Sequence, residues 1–291
     1  MSVAIVTDST AYLPAELVAA AAVPLTIVPL HVVVGGVERR EGVDVTTEDL
    51  STALRAFVPV STSRPAPQAF LTEYERLAGD GATAIVSVHL SADMSGTVQA
   101  AQLAAQQSPV PVVVVDSRSL GMAMGYAVLS AADCAAAGGS VNDVAAVARS
   151  RAEAAYVAFY VDTLEHLRRG GRIGAASAML GSALAIKPIL TLADGSIQPL
   201  ERVRTSSRAL ARLADLAVLA AASATTRVDV AVQHLDSATR AASLAAEVAG
   251  RLGDRLGDVV VGELGAVVGA HVGPGTLAVV VSPRPGRPGE L

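Results

Sequence analysis

Val3-Ala4-Ile5-Val6-Thr7-Asp8-Ser9-Thr10 sets a pattern that recurs along the first half of the chain. A short β-branched run gives way to a hydroxyl-rich stretch, and an Ala/Leu segment of helical length follows. The same order pairs a strand over 3–6 with a helix over 14–22, a strand over 25–34 with a helix over 47–57, a strand over 84–89 with a helix over 97–107, and a strand over 112–115 with a helix over 122–137. Gly35-Gly36 reads as a turn leading into a short polar strand. This βαβα rhythm predicts a mostly parallel sheet covered by helices on both faces.

Beyond residue 137 the rhythm changes. Gly138-Gly139 ends a helix, 141–153 reads as another, and strands are expected over 156–161, 189–192, 197–203, 228–234, 259–264 and 277–281. Helices over 207–222 and 238–252 separate the later strands. The expectation is an α/β fold of two domains. Residues 1–150 would form a three-layer αβα domain, 151–283 a second α/β domain with a mixed or antiparallel sheet, and 284–291 a disordered proline-rich tail.

Four segments carry the hydroxyls: Thr7-Asp8-Ser9-Thr10, Ser61-Thr62-Ser63-Arg64-Pro65, Ser91-Ala92-Asp93-Met94-Ser95-Gly96-Thr97 and Asp116-Ser117-Arg118-Ser119. Each follows an apolar run. The C-terminal strand ends of a parallel sheet share one edge, so these four segments are expected to converge on one crevice, the usual ligand position in open α/β sheets. Ser95-Gly96-Thr97 also opens a helix, whose free N–H groups and dipole favour an anion. The same residue types are the preferred helix N-caps, so each stretch has a purely structural reading as well. Neither a Walker A sequence nor a dinucleotide-binding glycine fingerprint follows the first strand.

The second half adds Leu164-Glu165-His166-Leu167-Arg168-Arg169-Gly170-Gly171-Arg172, then Arg202-Val203-Arg204-Thr205, then His271-Val272-Gly273-Pro274-Gly275. Gly170-Gly171 suits a helix C-cap, and an arginine just past it can face an anion. Arg168, Arg169 and Arg202 read as solvated side chains. His271, in what reads as a Gly/Pro loop, is either a satisfied structural imidazole or a group beside a ligand.

Composition narrows the function classes. The chain has 291 residues, 52% hydrophobic and 17% charged, which is a packed core rather than a disordered chain. Its apolar runs are interrupted before the roughly 18 residues a bilayer helix needs. Asp8 follows the first run too closely for a secretory segment, so a cytoplasmic protein is expected. One cysteine, Cys134, rules out a disulfide within the chain. His31, His89, His166, His234 and His271 lack ligand spacing, so no metal is expected. A net charge of −5 and 3% aromatic content without tryptophan argue against nucleic acid.

The motifs taken together resemble the DegV family. The resemblance rests on Thr7-Asp8-Ser9-Thr10, Thr62-Ser63, Ser95-Gly96-Thr97, Asp116-Ser117-Arg118-Ser119, Leu164 with Gly170-Gly171-Arg172-Ile173, Leu180-Gly181-Ser182 with Ile186-Lys187-Pro188-Ile189-Leu190, Arg204-Thr205, and Gly269 with His271-Val272-Gly273-Pro274-Gly275. They run in order from residue 3 to about 281. The resemblance implies a two-domain protein with a lipid tunnel between and within the domains. One long-chain fatty acid would lie there, its carboxylate near the domain junction. It also implies a non-catalytic substrate-binding subunit of a bacterial fatty acid kinase, serving phospholipid metabolism. No cofactor of its own is implied, since the partner subunit brings ATP and magnesium.

Carried over by position, Thr62, Ser95, Gly96 and His271 correspond to the carboxylate site. Arg172, Arg204 and His271 correspond to kinase docking or transfer. The chain differs from the family's usual pattern at Arg64, Ala66, Asp93 and Ala270. Two other readings of the same residues are a free-standing enzyme acting on a phosphorylated or acyl metabolite, and a lipid carrier with no kinase partner.

Overall fold

A computed structural model describes residues 2–179 and 186–286. The chain begins with β1 (Val3–Asp8), α1 (Ala15–Ala19) and β2 (Leu25–Val28), then β3 (His31–Val34), β4 (Val37–Arg40), α2 (Thr47–Arg55) and β5 (Val60–Ser63). Next come α3 (Pro67–Gly79), β6 (Ala84–His89), α4 (Thr97–Ala105), β7 (Val112–Asp116), α5 (Met122–Ala136) and α6 (Val141–Ala154). The remainder comprises β8 (Tyr156–Tyr160), α7 (Glu165–Arg169), β9 (Lys187–Ala193), β10 (Ser196–Val203), α8 (Ser206–Ala222), β11 (Val228–His234), α9 (Ala238–Leu252), β12 (Leu256–Glu263), α10 (Ala266–Val272) and β13 (Leu277–Pro283).

Two compact units result, one of residues 1–31 and 63–153, the other of 32–62 and 154–291. The expected division at residue 150 therefore omits an excursion. Residues 32–62 leave the N-terminal unit and belong with the C-terminal one. The apolar run 25–34, expected as one strand, is interrupted at Pro29, which has no N–H to donate to a ladder. β2 ends before it in one sheet, and β3 begins after it in another.

The first unit is built on a parallel sheet of order β2-β1-β6-β7. Every residue of β6 is buried, as a central parallel strand requires. Phe70, Leu71 and Tyr74 of α3 and Ala100, Ala101 and Ala104 of α4 form a core with Val6 and Ile85, while α5 packs on β1 and β6. Helix α3 has no counterpart among the helices expected from sequence. Pro67 opens it and Phe70, Leu71, Tyr74 and Leu77 form its buried stripe.

At the ends of these strands the hydroxyl groups are mostly engaged with backbone. Thr7 Oγ1 donates to the Val88 carbonyl at 2.8 Å, and Ser9 Oγ accepts from Leu30 N at 3.0 Å. Asp116 Oδ1 accepts from Arg118 N and Ala92 N, and Ser117 Oγ accepts from Ser119 N. These are the capping and turn roles available to such residues without any ligand.

Asp8 is the most heavily engaged. Its Oδ1 accepts from Thr10 N at 3.0 Å and Thr10 Oγ1 at 2.5 Å, while Oδ2 meets His89 Nδ1 at 3.0 Å and accepts from Leu90 N at 3.1 Å. The chain of contacts continues from His89 Nε2 to Ser87 Oγ at 2.7 Å, to which Tyr74 Oη donates at 2.9 Å. All five side chains are fully buried. Burial pushes the Tyr74 phenol up to about 12, so it serves as a neutral donor.

The second unit contains a six-stranded sheet of order β10-β9-β8-β13-β11-β12 and a three-stranded sheet of order β4-β3-β5. In the larger sheet β11 and β12 pair in parallel, joined through α9, and the other pairings are antiparallel. Leu213, Leu216 and Ala217 of α8 and Leu244 and Val248 of α9 cover it with Val230, Val232, Leu277 and Val279. Residues 32–62 are tied to this unit by specific bonds. Glu41 Oε1 accepts from Val267 N at 2.7 Å, Thr47 Oγ1 donates to Glu263 Oε2 at 2.7 Å, and Arg55 pairs with Asp236.

Helix α2 begins with a capping box between Thr46 and Asp49 and ends with Phe57 in the left-handed region at φ +56°. For a non-glycine residue that conformation costs about 1–2 kcal/mol. Arg284, expected in a disordered tail, is instead held by specific bonds. Arg284 N donates to the Arg227 carbonyl, and its guanidinium pairs with Asp229 at 2.6 Å and with Asp258. Residues 287–291, and Leu180-Gly181-Ser182, lie outside the described residues.

Candidate functional site

Thr62 lies on β5, at the side of the three-stranded sheet, and not at the end of a strand in the parallel sheet. The convergence of four hydroxyl segments on one sheet edge is therefore corrected. Three of them follow β1, β6 and β7, whereas the fourth begins within a strand of the other sheet and is divided between the units, with Ser61 and Thr62 in the second and Ser63, Arg64 and Pro65 in the first.

His271 is helical too, on the last turn of α10, and not in the loop expected from its Gly/Pro neighbours. The stretch 265–275 is rich in glycine and valine, both poor helix formers, and packing decides its conformation. Gly269 is the contact point. A Cβ there would come within 2.6 Å of Leu50 Cδ2 and 3.1 Å of Leu235 Cδ2.

The two features meet. Thr62 Oγ1 lies 2.8 Å from His271 Nε2. On its other side the imidazole presses on Gly170, where a Cβ would overlap Nδ1. Gly170 is placed by the end of α7: Arg172 N donates to the Leu167 carbonyl and Gly171 N to the Arg168 carbonyl, with Gly171 at φ +69°. This is a Schellman ending with glycine in its left-handed position. A reciprocal contact locks α7 to α10, since a Cβ on Gly273 would overlap the ring of His166. Arg172, just past the ending, donates from Nη1 to the Gly170 carbonyl at 2.7 Å.

Burial, then the charge of Arg172, pushes His271 down to about 4. The imidazole is neutral at pH 7. Its Nδ1 is buried without a hydrogen-bond partner among the described residues. A buried N–H left without an acceptor costs more than an idle lone pair on an acceptor, which favours the tautomer carrying its proton on Nε2. In that tautomer Nε2–H donates to Thr62 Oγ1, and the Thr62 proton is free to point at an incoming anion. Thr62 and His271 border a cleft of about 820 Å³ whose wall includes Leu54, Val58, Pro59, Val60, His166, Arg169, Gly170 and Arg172.

The pH dependence of stability follows from this imidazole. In the unfolded chain it titrates near 6.5 and in the native protein near 4. Between those values the unfolded state binds a proton that the native state does not, so stability falls as the pH drops through that window. The expected loss is about 3 kcal/mol by pH 4, with none above pH 7. Urea midpoints measured from pH 7 to 4 check this. His271→Gln should remove the extra slope, and an unchanged slope in that variant would assign it to other groups.

Ser95 and Gly96 lie in the N-terminal unit, at the start of α4. Ser95 N and Met94 N both donate to the Ser91 carbonyl, and Ser95 Oγ lies 2.9 Å from Thr97 Oγ1. Gly96 is the N-cap, and α4 has no side-chain cap and no acidic residue in its first turn. Against Gly96 lies Arg64, whose guanidinium occupies the position of a Cβ. The uncharged donor set expected from sequence thus has a cation beside it. Arg204 is exposed, one residue before Thr205, the N-cap of α8 that accepts from Arg208 N. The residues carrying the site beyond those expected are Gly170 as the seat of His271, and the pair His166 and Gly273 that locks the two helices.

These features define an α/β protein of two units in which an uncharged hydroxyl–imidazole pair borders an arginine-rimmed cleft. The family model for DegV, described as an uncharacterised protein family, matches residues 2–284. The chain belongs to the DegV family. It is 52% identical over 282 residues to a DegV domain-containing protein of Streptomyces coelicolor, covering 97% of this chain and 99% of that one. Among solved structures it is similar to a DegV family protein from Thermus thermophilus described for its fatty acid binding, with TM-score 0.91, 34% identity, and 98% and 100% of the two chains covered. It is also similar to DegV of Bacillus subtilis, described as a fatty acid binding protein, with TM-score 0.88, 30% identity and the same coverage. Among the described residues no helix is long and apolar enough to cross a membrane, and no cluster of candidate metal ligands occurs.

Proposed function

We propose that this protein holds one long-chain fatty acid and presents its carboxylate to a separate ATP-dependent kinase subunit. The observation that carries the reading is the neutral Thr62–His271 pair, which offers a carboxylate a hydroxyl donor without a compensating charge. Full-length similarity to two proteins described as binding fatty acids supports the ligand class.

The energetics agree with that division of labour. Burying about fifteen methylenes yields on the order of 12 kcal/mol before ordering costs, so the tail supplies affinity. The carboxylate needs hydrogen bonds to offset its lost hydration, each worth about 1.5–3 kcal/mol when charge-assisted. Thr62 supplies one of them, and His271 holds its hydroxyl in the donating orientation.

An anion held by neutral donors keeps its nucleophilicity better than one clamped in a salt bridge. One carboxylate oxygen attacks the γ-phosphorus of ATP, the bond to the β-γ bridging oxygen breaks, and ADP leaves as acyl phosphate forms. Arg172 and Arg204 act at the rim, on the partner or on the charge that accumulates in transfer.

Native mass spectrometry of the purified protein, followed by lipid extraction, tests the first half. One fatty acid per chain is expected; a protein that retains none and cannot be loaded would refute the reading. For the second half, acyl phosphate should form only when the ATP-binding subunit and ATP are both added. Turnover without that partner would instead mark a free-standing enzyme, and a loaded protein that yields nothing with it would mark a lipid carrier.

A further inference from the structure

Phe57 is one of only three phenylalanines in the chain, and it stands 85% exposed. Its backbone makes that exposure harder to ascribe to chance. Val58 N donates to the Ala53 carbonyl at 2.9 Å and Phe57 N to the Leu54 carbonyl at 3.2 Å, so Phe57 occupies the left-handed residue of a Schellman ending. Glycine is the usual occupant there. A glycine at residue 57 would relax the backbone and remove an aromatic ring from water. The chain keeps the ring, at the mouth of the cleft that Thr62 and His271 border.

The opposite side of the cleft is cationic. Arg168 and Arg169 both pair with Glu165, and Arg172 donates to the Gly170 carbonyl, so this side carries three guanidinium groups against one carboxylate and is net positive. His166 and His271 are both shifted down by burial and add no charge at neutral pH. An exposed aromatic beside desolvable arginines, at the edge of a concave wall, is the arrangement of an interface hot spot.

From this geometry we infer that Phe57 is the apolar anchor of a protein-docking surface, whose partner carries an apolar socket bordered by carboxylates. The inference rests on the function proposed above, in which the partner is the kinase subunit. A bilayer fits less well. Membrane contact through a surface element uses several protruding apolar side chains, whereas Leu54, Val58 and Val60 of the same wall are partly buried and Phe57 is the one large apolar side chain lining the cleft that is strongly exposed.

The test uses the full chain loaded with fatty acid and the ATP-binding subunit of a bacterial fatty acid kinase. Phe57→Gly suits the backbone and should fold at least as stably as the wild type. It should bind the kinase subunit at least tenfold more weakly and raise the KM for loaded protein by a similar factor, with kcat within about twofold. Phe57→Trp should restore most of the affinity. Equal affinity of Phe57→Gly and wild type, with acyl phosphate still formed, would overturn the docking role alone. Absence of both complex and acyl phosphate with the wild type would overturn the kinase reading and this inference together. In a parallel arm with phosphatidylglycerol vesicles, binding that Phe57→Gly abolishes while kinase affinity is unchanged would reassign the surface to lipid.

Discussion

Asp8→Ala is expected to destabilise the N-terminal unit by about 3–5 kcal/mol, the range for removing one partner from a buried ionic or hydrogen-bonded pair. The reason is the number of groups that depend on one carboxyl. Thr10 N, Thr10 Oγ1, His89 Nδ1 and Leu90 N all point at it from positions that water does not reach. Alanine removes every acceptor at once and supplies nothing in return. Set against a total stability of about 5–15 kcal/mol, such a loss leaves the unit close to its unfolding threshold.

Asp8→Asn keeps one acceptor oxygen and should cost roughly half as much. Tyr74→Phe, at the far end of the same chain of contacts, loses one hydrogen bond to Ser87 and should cost about 1 kcal/mol. Chemical denaturation of the three variants ranks them. An Asp8→Ala protein as stable as Tyr74→Phe would show that the carboxyl is dispensable, and with it the account of how the ends of β1 and β6 are held.

That network shows what sequence patterning can reach. The strand 84–89 and its neighbours are legible because parallel strands buried on both faces read as continuous apolar runs. Ser87 and His89 fall two residues apart in the run, on one face, which is a signal for a polar contact inside the sheet. Their partner has no such signal, because Asp8 lies 81 residues away from His89 and only the sheet order places β1 beside β6.

The site divides the same way. Gly170-Gly171-Arg172 is recognisable as a helix ending followed by a cation, since Schellman chemistry is local. His271 is legible as a candidate but misplaced in a loop, because the helix holding it is decided by Gly269 against Leu50 and Leu235, contacts with no local signature. The excursion 32–62 is hidden for a similar reason. Pro29 marks the break, but nothing near it says that the chain will cross to the other unit and return. Phe57 gives no warning either, because hydropathy alone assigns a phenylalanine to the core, and its left-handed backbone is visible only in the fold.

Gly170→Ala is expected to abolish most fatty-acid retention, through displacement of His271 and not through any contact with the ligand. A methyl group at residue 170 would overlap Nδ1 of the imidazole, so the His271 ring or the helices that hold it must move. Either the ring rotates away from Thr62, or α7 and α10 separate and give up the Gly273–His166 contact as well. Both outcomes release the Thr62 hydroxyl from the orientation in which it donates outward. Losing one charge-assisted hydrogen bond of about 1.5–3 kcal/mol lowers affinity by roughly 10- to 150-fold, and overpacking adds about 1–3 kcal/mol of instability.

The neighbouring residue supplies the control. Gly171 sits at φ +69°, and a methyl group added there would meet nothing within 4 Å, so Gly171→Ala bears only backbone strain, about 1 kcal/mol, and should retain the lipid. Fatty-acid dissociation constants for the two variants separate the explanations. If Gly170→Ala holds the ligand as tightly as Gly171→Ala does, the imidazole has no part in orienting the hydroxyl, and the carboxylate is held by other donors.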